Sequence, residues 1–293
     1  MTGTRPAPRV IAEIGCNHAG DLATALRMVD VAADFCDVDV VKFQKRHPRT
    51  LLSSEQFDAP HPDARHAFGR TYGEHREFLE LDIEEHQQLK AAAERSGMVY
   101  STSVWDIPSA HEVISLGPEF IKVPSATNLH EELLRLLRDG YTGDVHVSLG
   151  MTSRAEEEAI VALFVDRSQH HRLVLYACTS GYPVPFEDLA LLEVERLTRT
   201  YGSVVKAIGF SGHHLGIAAD IAAMTLGATW IERHFTLDRT MKGTDHAASL
   251  EPDGMRRLTR DLRNVALALT YKASDVLPIE EPQRQKLKWH PPA

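Results

Sequence analysis

Two lysines stand inside otherwise apolar, β-branched stretches, Lys42 in DVVKFQ and Lys122 in FIKVPSA. A buried ammonium group is costly unless an opposite charge neutralises it, and the acids with a comparable placement are Glu13 and Glu232. Two buried cations among hydroxyl side chains indicate a site for an anionic substrate that carries a carboxylate or a phosphate. The alternative interpretation is that lysine–glutamate pairs only brace the interior.

Two histidines end the last two apolar stretches, His213 in VKAIGFSGH and His234 in TWIERHF. On adjacent strands their imidazoles would reach one metal ion, and two imidazoles with water and oxygen ligands suit Mn²⁺, Co²⁺ or Zn²⁺. His214 is the alternative to His213, because successive side chains of a strand point to opposite faces. The other interpretation is a pair of hydrogen-bonded core histidines. Asp245, in the turn that follows, either accepts hydrogen bonds from a hydroxylated ligand or caps a helical turn.

The stretches that carry these residues belong to a pattern repeated along the chain. Each is a short β-branched run ending in polar residues, followed by a turn and an amphipathic stretch with helical spacing. Strict alternation of strand and helix implies parallel strands, and eight of them in about 250 residues predict a closed (β/α)₈ TIM barrel. A doubly wound open sheet is the alternative, but no G-x-G-x-x-G follows the first strand. The predicted strands cover residues 10–15, 39–44, 98–105, 120–126, 144–151, 172–180, 205–213 and 229–235.

Functional residues of such a barrel lie at the C-terminal ends of its strands. All eight predicted strands place polar side chains there. In chain order these are Glu13, Asn17, His18, Lys42, Gln44, Ser101, Thr102, Ser103, Lys122, Ser125, Ser148, Thr179, Ser180, Tyr182, Ser211, His213, His214, Glu232 and His234.

We assign residues 1–273 to the barrel. Residues 46–82 are too many for a simple strand–helix connection, so we expect an elaborated loop that forms a lid or wall of the site. Residues 274–293 are rich in proline and charge, which predicts an extended C-terminal tail.

Composition excludes several classes of protein. The net charge of -9 and the pI near 6.0 give no general attraction for nucleic acid or an anionic membrane surface. The N-terminus lacks an apolar core of signal-peptide length, and no run approaches the roughly 20 apolar residues of a membrane helix, so a cytoplasmic location is expected. Cys16, Cys36 and Cys178 show no paired spacing, which argues against a disulfide framework or a zinc ribbon.

Eight ordered blocks at the predicted strand ends resemble the N-acetylneuraminate (sialic acid) synthase family over roughly residues 10–265. The resemblance implies a (β/α)₈ barrel that condenses phosphoenolpyruvate with an N-acetylmannosamine-like or related aldose. The implied products are phosphate and a 3-deoxy-2-keto sugar acid, a sialic acid-like nonulosonate. The blocks are IAEIGCNHAGDLATAL, VKFQ, YSTS, IKVPSATN, VSLGMTS, CTSGYPVPFEDL, IGFSGHHLGI and IERHFTLDRTMKGTDHAASLEPD.

The resemblance also implies a role for each matched residue. His213 and His234 would ligate a divalent metal ion, Mn²⁺ first and Co²⁺, Mg²⁺ or Zn²⁺ as alternatives. The residues expected to catalyse are Glu13, Lys42, Tyr182 and Glu232, with Tyr182 between the two substrates and Glu232 beside the metal site. Phosphoenolpyruvate would be surrounded by Lys42, Thr102, Lys122, Ser125, Ser148, Ser180 and Ser211. The sugar would be met by Glu13, Gln44 and Asp245.

Two departures from the family pattern bear on the choice of acceptor. Ala126 and Thr127 stand where relatives carry Gly and Glu, and that acid contacts the sugar in relatives. The sequence is also expected to be the barrel without the C-terminal antifreeze-like domain, which in relatives delivers an Arg to the acceptor's acyl group in the neighbouring subunit. Either a separate protein or residues 46–82 could supply that contact, and a homodimer remains possible. The candidates in that segment, for which a solvated face is the alternative, are His61, Arg65, Arg70, His75 and Arg76.

Two other functions remain open at the level of sequence. A desolvated lysine, Lys122 or Lys42, could form a Schiff base in a pyruvate aldolase. The chain could also be a non-catalytic barrel that binds phosphoenolpyruvate or a sugar and needs a partner. Under every interpretation the ligands are small molecules.

Overall fold

The computed structural model describes residues 6–289 and contains a closed barrel of eight parallel strands in sequence order. This confirms the predicted (β/α)₈ TIM barrel and excludes the doubly wound open sheet. Several strands end earlier than expected, so that Ser125 and Ser180 lie in the loops that follow them. The strands are β1 (Arg9–Gly15), β2 (Val40–Lys45), β3 (Val99–Val104), β4 (Phe120–Val123), β5 (Asp144–Ser148), β6 (Leu173–Cys178), β7 (Ala207–Gly212) and β8 (Trp230–His234).

Helices surround the barrel, and side-chain caps mark many of their starts. Asp82, for example, accepts a hydrogen bond from the backbone of Glu85 while Glu85 binds back to the backbone of Asp82, a capping box that begins a helix at Ile83. The helices are α1 (Leu22–Asp34), α2 (Pro48–Leu51), α3 (Ser54–Asp58), α4 (Tyr72–Phe78), α5 (Ile83–Arg95), α6 (Ile107–Leu116), α7 (Glu131–Gly140), α8 (Arg154–Val165), α9 (Glu193–Tyr201), α10 (Ala218–Leu226), α11 (Pro252–Ala268) and α12 (Glu281–Leu287).

The inward faces of the strands form an apolar layer below a polar one. One buried cluster consists of Ile11, Val40, Phe120, Val174, Tyr176 and Trp230. Two positions further along their strands, Ile11, Val40, Phe120 and Trp230 are followed by Glu13, Lys42, Lys122 and Glu232. Because side chains alternate along a strand, these charged groups share the inward face with the apolar layer. The charged layer therefore lies at the C-terminal end of the barrel.

Residues 46–82 form a helical wall rather than a simple loop. They contain α2, α3, a 3₁₀ turn (Ala64–His66) and α4. The wall packs against the mouth of the barrel, where His66 Nδ1 accepts a hydrogen bond of 3.2 Å from the backbone N–H of Gly243, in the loop after β8. At its base Arg46 pairs with Glu80 over 2.5 Å. The role of this wall in binding stays a prediction.

The C-terminal tail differs from the extended segment that we expected. Residues 281–287 form α12, with a proline in its first turn, where the missing N–H leaves no helical hydrogen bond unmade. The side chain of Trp289 is exposed. Residues 290–293 of the predicted tail and residues 1–5 of the predicted barrel lie outside the described residues, and the boundary at residue 273 stays a prediction. Within residues 6–289, no helix has the length and apolar character needed to span a membrane.

Buried histidines make the stability of the fold sensitive to pH. His86, on α5, is 1% exposed, and its Nδ1 lies 2.7 Å from the hydroxyl of Tyr100. Burial, and then the charge of Lys45, lowers the pKa of His86 to about 3. The unfolded chain binds a proton here below its ordinary pKa of about 6.5, whereas the folded chain does so only near pH 3, so acid favours unfolding through that window.

We expect His86 alone to lower the free energy of unfolding by roughly 1–2 kcal/mol between pH 7 and pH 5. Urea unfolding at several pH values measures this dependence. The His86→Gln variant should show a shallower dependence than the unchanged protein. Identical slopes in the two proteins would contradict the assignment.

Candidate active site

A cavity of about 300 Å³ lies at the C-terminal ends of the strands. It brings together twelve of the predicted site residues, with Thr102 and Asp245 as the exceptions. The predicted residues that line it are Glu13, Lys42, Gln44, Lys122, Ser125, Ser148, Ser180, Tyr182, Ser211, His213, Glu232 and His234. Sequence reasoning gave no role in the site to the other lining residues, which are Ser103, Trp105, Pro124, Ala126, Met151 and Cys178.

The floor of the cavity holds two lysine–glutamate pairs. Lys42 pairs with Glu13 and also donates a hydrogen bond of 2.7 Å to Ser103 Oγ. Lys122 Nζ donates a hydrogen bond of 2.6 Å to Glu232 Oε1, and its ammonium lies 4.3 Å from the centre of the Tyr176 ring. The four charges therefore balance, as the bracing interpretation requires.

The pairs are linked through Glu232. Its Oε2 atom lies 3.7 Å from Lys42 Nζ, and its Oε1 atom accepts a hydrogen bond of 3.2 Å from Ser211. Burial favours a raised pKa for Glu232, but the charges of Lys122 and Lys42 outweigh it and hold the pKa at about 2. Burial lowers the pKa of Lys122, and the carboxylate of Glu232 opposes that change. Glu232 is thus ionised at neutral pH and shared between the two ammonium groups.

Several polar atoms beside this floor have no hydrogen-bond partner among the described residues. Ser180 Oγ, Glu232 Oε2 and His234 Nδ1 are all buried and form no hydrogen bond with a described residue, although Glu232 Oε2 keeps its ion-pair contact with Lys42. Ser125 Oγ accepts a hydrogen bond of 3.1 Å from the backbone N–H of Gly150. A Cβ atom at Gly150 would lie 2.4 Å from Ser180 Oγ, so only glycine lets the backbone approach these hydroxyls so closely. Buried atoms that can still form hydrogen bonds indicate a place for a polar ligand.

The structure does not place Thr102 in the site. Its hydroxyl donates a hydrogen bond of 2.6 Å to the hydroxyl of Tyr100, and Tyr100 contacts His86 on α5, outside the barrel. In this structure the Thr102 hydroxyl therefore faces the helix layer rather than the cavity, because side chains alternate along β3, and its contact with phosphoenolpyruvate stays a prediction that this geometry does not favour. Ser101 and Ser103 share the inward face, and Ser103 is the residue that reaches Lys42.

Separate substitutions of Ser103 and Thr102 test which of the two side chains faces the cavity. We expect Ser103→Ala to lower kcat/KM for the reaction proposed below by roughly tenfold, because Lys42 loses a buried hydrogen bond. Thr102→Ser keeps the hydroxyl and should leave KM for both substrates unchanged. Steady-state kinetics of the two variants measures the difference, and a larger effect at Thr102 would contradict the assignment.

His213 and His234 lie together at the ends of β7 and β8. Their ring centres are 5.4 Å apart, a span that one metal ion about 2 Å from each nitrogen can bridge. His213 Nδ1 lies 3.0 Å from the carbonyl oxygen of Thr179, so it carries the proton and leaves Nε2 free as a ligand atom. Burial, and then His234, lowers the pKa of His213 to about 3, which keeps its imidazole neutral. Tyr182, 52% exposed, covers the pair with its ring centre 4.4 Å from that of His213.

The alternative ligand His214 points away from the cavity. Its Nε2 lies 3.1 Å from Arg233 Nη1 and 3.3 Å from Asp220 on α10, and all three residues are buried in the helix layer. Arg233 faces outward, as the alternation of β8 requires. Neither residue can take part in the cavity's chemistry.

Asp245 lies next to His234 but does not line the cavity. Its Oδ2 atom is 4.0 Å from His234 Nδ1, and its other oxygen accepts a hydrogen bond of 3.0 Å from Thr244. Burial favours a raised pKa for Asp245, but His234 and the Thr244 hydroxyl outweigh it and lower the pKa. Within residues 6–289 no group of three or more His, Cys, Asp or Glu side chains is arranged to hold a metal ion. A metal held by the two histidines would need ligands from water or substrate.

Comparison with known proteins decides the family. The sequence profile of the NeuB family matches residues 28–274. The chain belongs to the NeuB family. Its NeuB relatives include the N-acetylneuraminate-9-phosphate synthase of Homo sapiens, 35% identical over 279 residues that cover 95% of this chain and 76% of the relative. The N,N'-diacetyllegionaminic acid synthase of Campylobacter jejuni is 32% identical and covers 89% of this chain and 77% of its own.

A solved NeuB-like structure agrees in fold. The N-acetylneuraminic acid (sialic acid) synthetase of Leptospira borgpetersenii, in complex with citrate, superposes with a TM-score of 0.80 at 28% identity. The match covers 98% of this chain and 94% of that one. The family resemblance read from the strand-end blocks is thereby confirmed.

Sequence reasoning listed Ser103 at a strand end without giving it a role in this NeuB site, and it missed Trp105, although a visible signal could have placed both. Strict alternation from Ser101 predicts Ser103 and Trp105 on the inward face, and Thr102 on the outward one. Trp105 follows the last residue of β3 and has a buried Nε1 atom without a partner among the described residues. Met151 and Pro124 lie in loops, where no periodicity could have indicated their direction.

Proposed function

We propose that this chain is a phosphoenolpyruvate-dependent synthase that joins the three-carbon unit of phosphoenolpyruvate to an amino sugar or related aldose. The product would be a nonulosonate, a 3-deoxy-2-keto sugar acid, with release of phosphate. One observation carries the proposal: a single cavity combines two buried lysines, the hydroxyl groups of four serines and two adjacent histidines. The NeuB relatives named above, synthases of sialic and legionaminic acids, support the same reaction.

Phosphoenolpyruvate would lie over the lysine floor. Its carboxylate and phosphate would take hydrogen bonds from Lys42, Lys122 and the hydroxyls of Ser125, Ser148 and Ser180. Because Glu13 and Glu232 balance the lysines in the free protein, binding must redistribute these contacts. The balanced pairs keep the lysines charged and in place before the substrate arrives, which reduces the cost of ordering them.

The acceptor would lie between the histidine pair and Tyr182, with Gln44 and Glu13 on its other side. The residues fit a divalent metal ion, since His234 Nδ1 is a buried orphan and His213 presents a neutral nitrogen. A metal ion bound there, Mn²⁺ by preference, would supply Lewis-acid polarisation of the aldehyde oxygen.

In the proposed reaction, phosphoenolpyruvate, the aldose and one water molecule give one keto acid and one phosphate. Carbon 3 of phosphoenolpyruvate bonds to the aldehyde carbon, and the aldehyde oxygen takes up a proton to become a hydroxyl group. Water adds at carbon 2, and the bond from carbon 2 to the phosphate oxygen breaks to leave a ketone and inorganic phosphate. Glu232, ionised and with no hydrogen bond at Oε2, can stabilise the positive charge that develops at carbon 2 and orient the water. Tyr182 shields the histidine side of the cavity from solvent.

The alternative function is a Schiff-base pyruvate aldolase. Burial lowers the pKa of Lys122, and a lysine with a lowered pKa is a better nucleophile toward a carbonyl group. The two functions separate in one assay. We expect phosphate release from phosphoenolpyruvate to require both an aldose and a divalent metal ion, and borohydride to trap no pyruvate adduct. A trapped adduct, with activity that survives a chelator, would support the aldolase. We further propose that the reaction takes place in the cytoplasm, and a homodimer stays a prediction.

A further inference from the structure

We propose that Arg76 and Lys242 bind a phosphate ester on the acceptor, so that the preferred acceptor is a phosphorylated aldose. This inference rests on the proposed function, because it assigns a further substrate group to the same site. Arg76 lies on α4, in the helical wall of residues 46–82, and Lys242 lies in the loop after β8.

Arg76 is a half-buried cation without a carboxylate partner among residues 6–289. Its guanidinium carbon lies 5.3 Å from the centre of the Trp105 ring and 5.6 Å from that of Tyr72. Arg46 approaches the same Trp105 ring at 5.4 Å but is neutralised by Glu80. Burial, and then the charge of Arg46, lowers the pKa of Arg76. An uncompensated cation in such a place is costly to keep, which points to a ligand that neutralises it.

Trp105 connects this cation to the cavity. One face of the indole contacts Arg76, while the same residue lines the cavity wall, and its Nε1 atom is buried without a partner among the described residues. Trp105 lines the cavity together with Ser125, Ser148 and Ser180, whereas Arg76 does not line it and approaches the Trp105 ring from the helical wall. An anion held by Arg76 would therefore lie at the wall, apart from the serine hydroxyls proposed to hold the phosphoenolpyruvate phosphate.

Lys242 adds a second free cation to the same rim. Its ammonium lies 4.7 Å from the centre of the Phe68 ring, and it makes no ion pair with any described residue. Phe68 stacks on His75, the neighbour of Arg76, with ring centres 5.8 Å apart. The pKa of His75 is lowered to about 4, chiefly by burial. The charges of Arg76 and Lys242 both add to this decrease, so both cations lie near the His75 ring.

The chemistry of the two cations favours a phosphate monoester over a carboxylate or a neutral acyl group. A phosphate monoester carries roughly -1.5 to -2 charge at neutral pH, which two cations match. The planar guanidinium group of Arg76 can bind two phosphate oxygens at once, and Lys242 contributes a point charge. Other cations of the wall are already paired and exposed, as Arg65 is with Asp63 and Arg70 with Glu74.

The test compares sugars with their own phosphates. The acceptor pairs are N-acetylmannosamine, mannose and arabinose, each with and without a terminal phosphate, and the readouts are phosphate release from phosphoenolpyruvate and the KM for the sugar. We expect the phosphorylated member of the productive pair to have a KM at least tenfold lower. In Arg76→Ala that KM should rise roughly ten- to a hundredfold, while the KM for phosphoenolpyruvate and for the unphosphorylated sugar stays unchanged.

Arg70→Ala is the matched control, because it removes an exposed arginine from the same wall and should leave both KM values unchanged. If Arg76→Ala does not fold, Lys242→Ala, on an exposed loop, carries the same test with a smaller expected rise. In the unsubstituted protein, a KM for the free sugar that is equal to or lower than the KM for its phosphate would overturn the inference. The proposed function would still stand.

Binding separates the two hypotheses if no sugar supports turnover, a result that would count against the proposed function. Calorimetric titration with each sugar phosphate then decides the inference. Binding that Arg76→Ala weakens at least tenfold would support it, and absence of binding or equal binding to both proteins would overturn it.

Discussion

Lys122→Met is expected to lower kcat/KM for phosphate release from phosphoenolpyruvate on the order of a thousandfold. Lys122 is 2% exposed and donates a 2.6 Å hydrogen bond to Glu232, so the protein shields its charge from bulk water. Methionine has a similar length and keeps the packing against Tyr176, but it offers no charge to the substrate. Steady-state kinetics with varied phosphoenolpyruvate measures the effect.

The same substitution also has a structural cost that must be separated from catalysis. Removal of one partner of a buried pair costs about 3–5 kcal/mol, although Glu232 keeps Lys42 at 3.7 Å and Ser211 at 3.2 Å. Thermal unfolding therefore accompanies the kinetics. Lys206→Met is the matched control, because Lys206 is half-exposed and pairs with Asp144 at the opposite end of the barrel. A folded Lys122→Met protein with nearly full activity would show that Lys122 only braces the fold.

His213→Ala and His234→Ala are each expected to lower kcat at least a hundredfold and to weaken binding of Mn²⁺ to the free protein. The two rings lie 5.4 Å apart, and with one imidazole removed the other provides a single protein nitrogen to a metal ion. A metal ion bound by the pair would act as a Lewis acid, and its loss would remove several kcal/mol of stabilisation from the charge that develops on the aldehyde oxygen. Calorimetric titration with Mn²⁺ gives a readout that does not depend on turnover.

The histidine variants require a control that removes an imidazole outside the site. His171→Ala serves, because His171 is exposed in a 3₁₀ turn before β6, where its ring contacts the carbonyl oxygen of Ser168 and the neighbouring ring of His170. It should leave Mn²⁺ affinity and kcat unchanged. Unaltered metal dependence in both His213→Ala and His234→Ala would show that the metal assignment is wrong.

The barrel and the centre of the site followed from the sequence because both depend on periodicity. Alternating β-branched and helical stretches predict parallel strands, and the ends of parallel strands in a barrel meet at one face. An error of a residue or two in the start of each predicted strand does not change this result. The four charged residues near the strand ends therefore had to converge, namely Glu13, Lys42, Lys122 and Glu232. In the structure they point inward with the apolar residues two positions earlier, as the alternation of side chains along a strand requires.

Features that depend on phase or on loops could not be obtained in this way. Thr102 was assigned inward by resemblance, and only the contact with Tyr100 revealed that β3 presents Ser103 instead. The wall of residues 46–82 carries no long period from which its short helices could be inferred. The pairing of each lysine with one glutamate, and the lack of a partner for Arg76, depend on side-chain positions that no sequence pattern specifies.

The most direct test of the central claim is a product analysis of the complete reaction. Phosphoenolpyruvate, Mn²⁺ and an aldose are incubated with the protein, released phosphate is quantified, and the new compound is identified by mass spectrometry. The account predicts equal amounts of phosphate and of a product whose mass equals the acceptor plus pyruvate. Phosphate release without a carbon–carbon bonded product, or the same product formed from pyruvate instead of phosphoenolpyruvate, would contradict it.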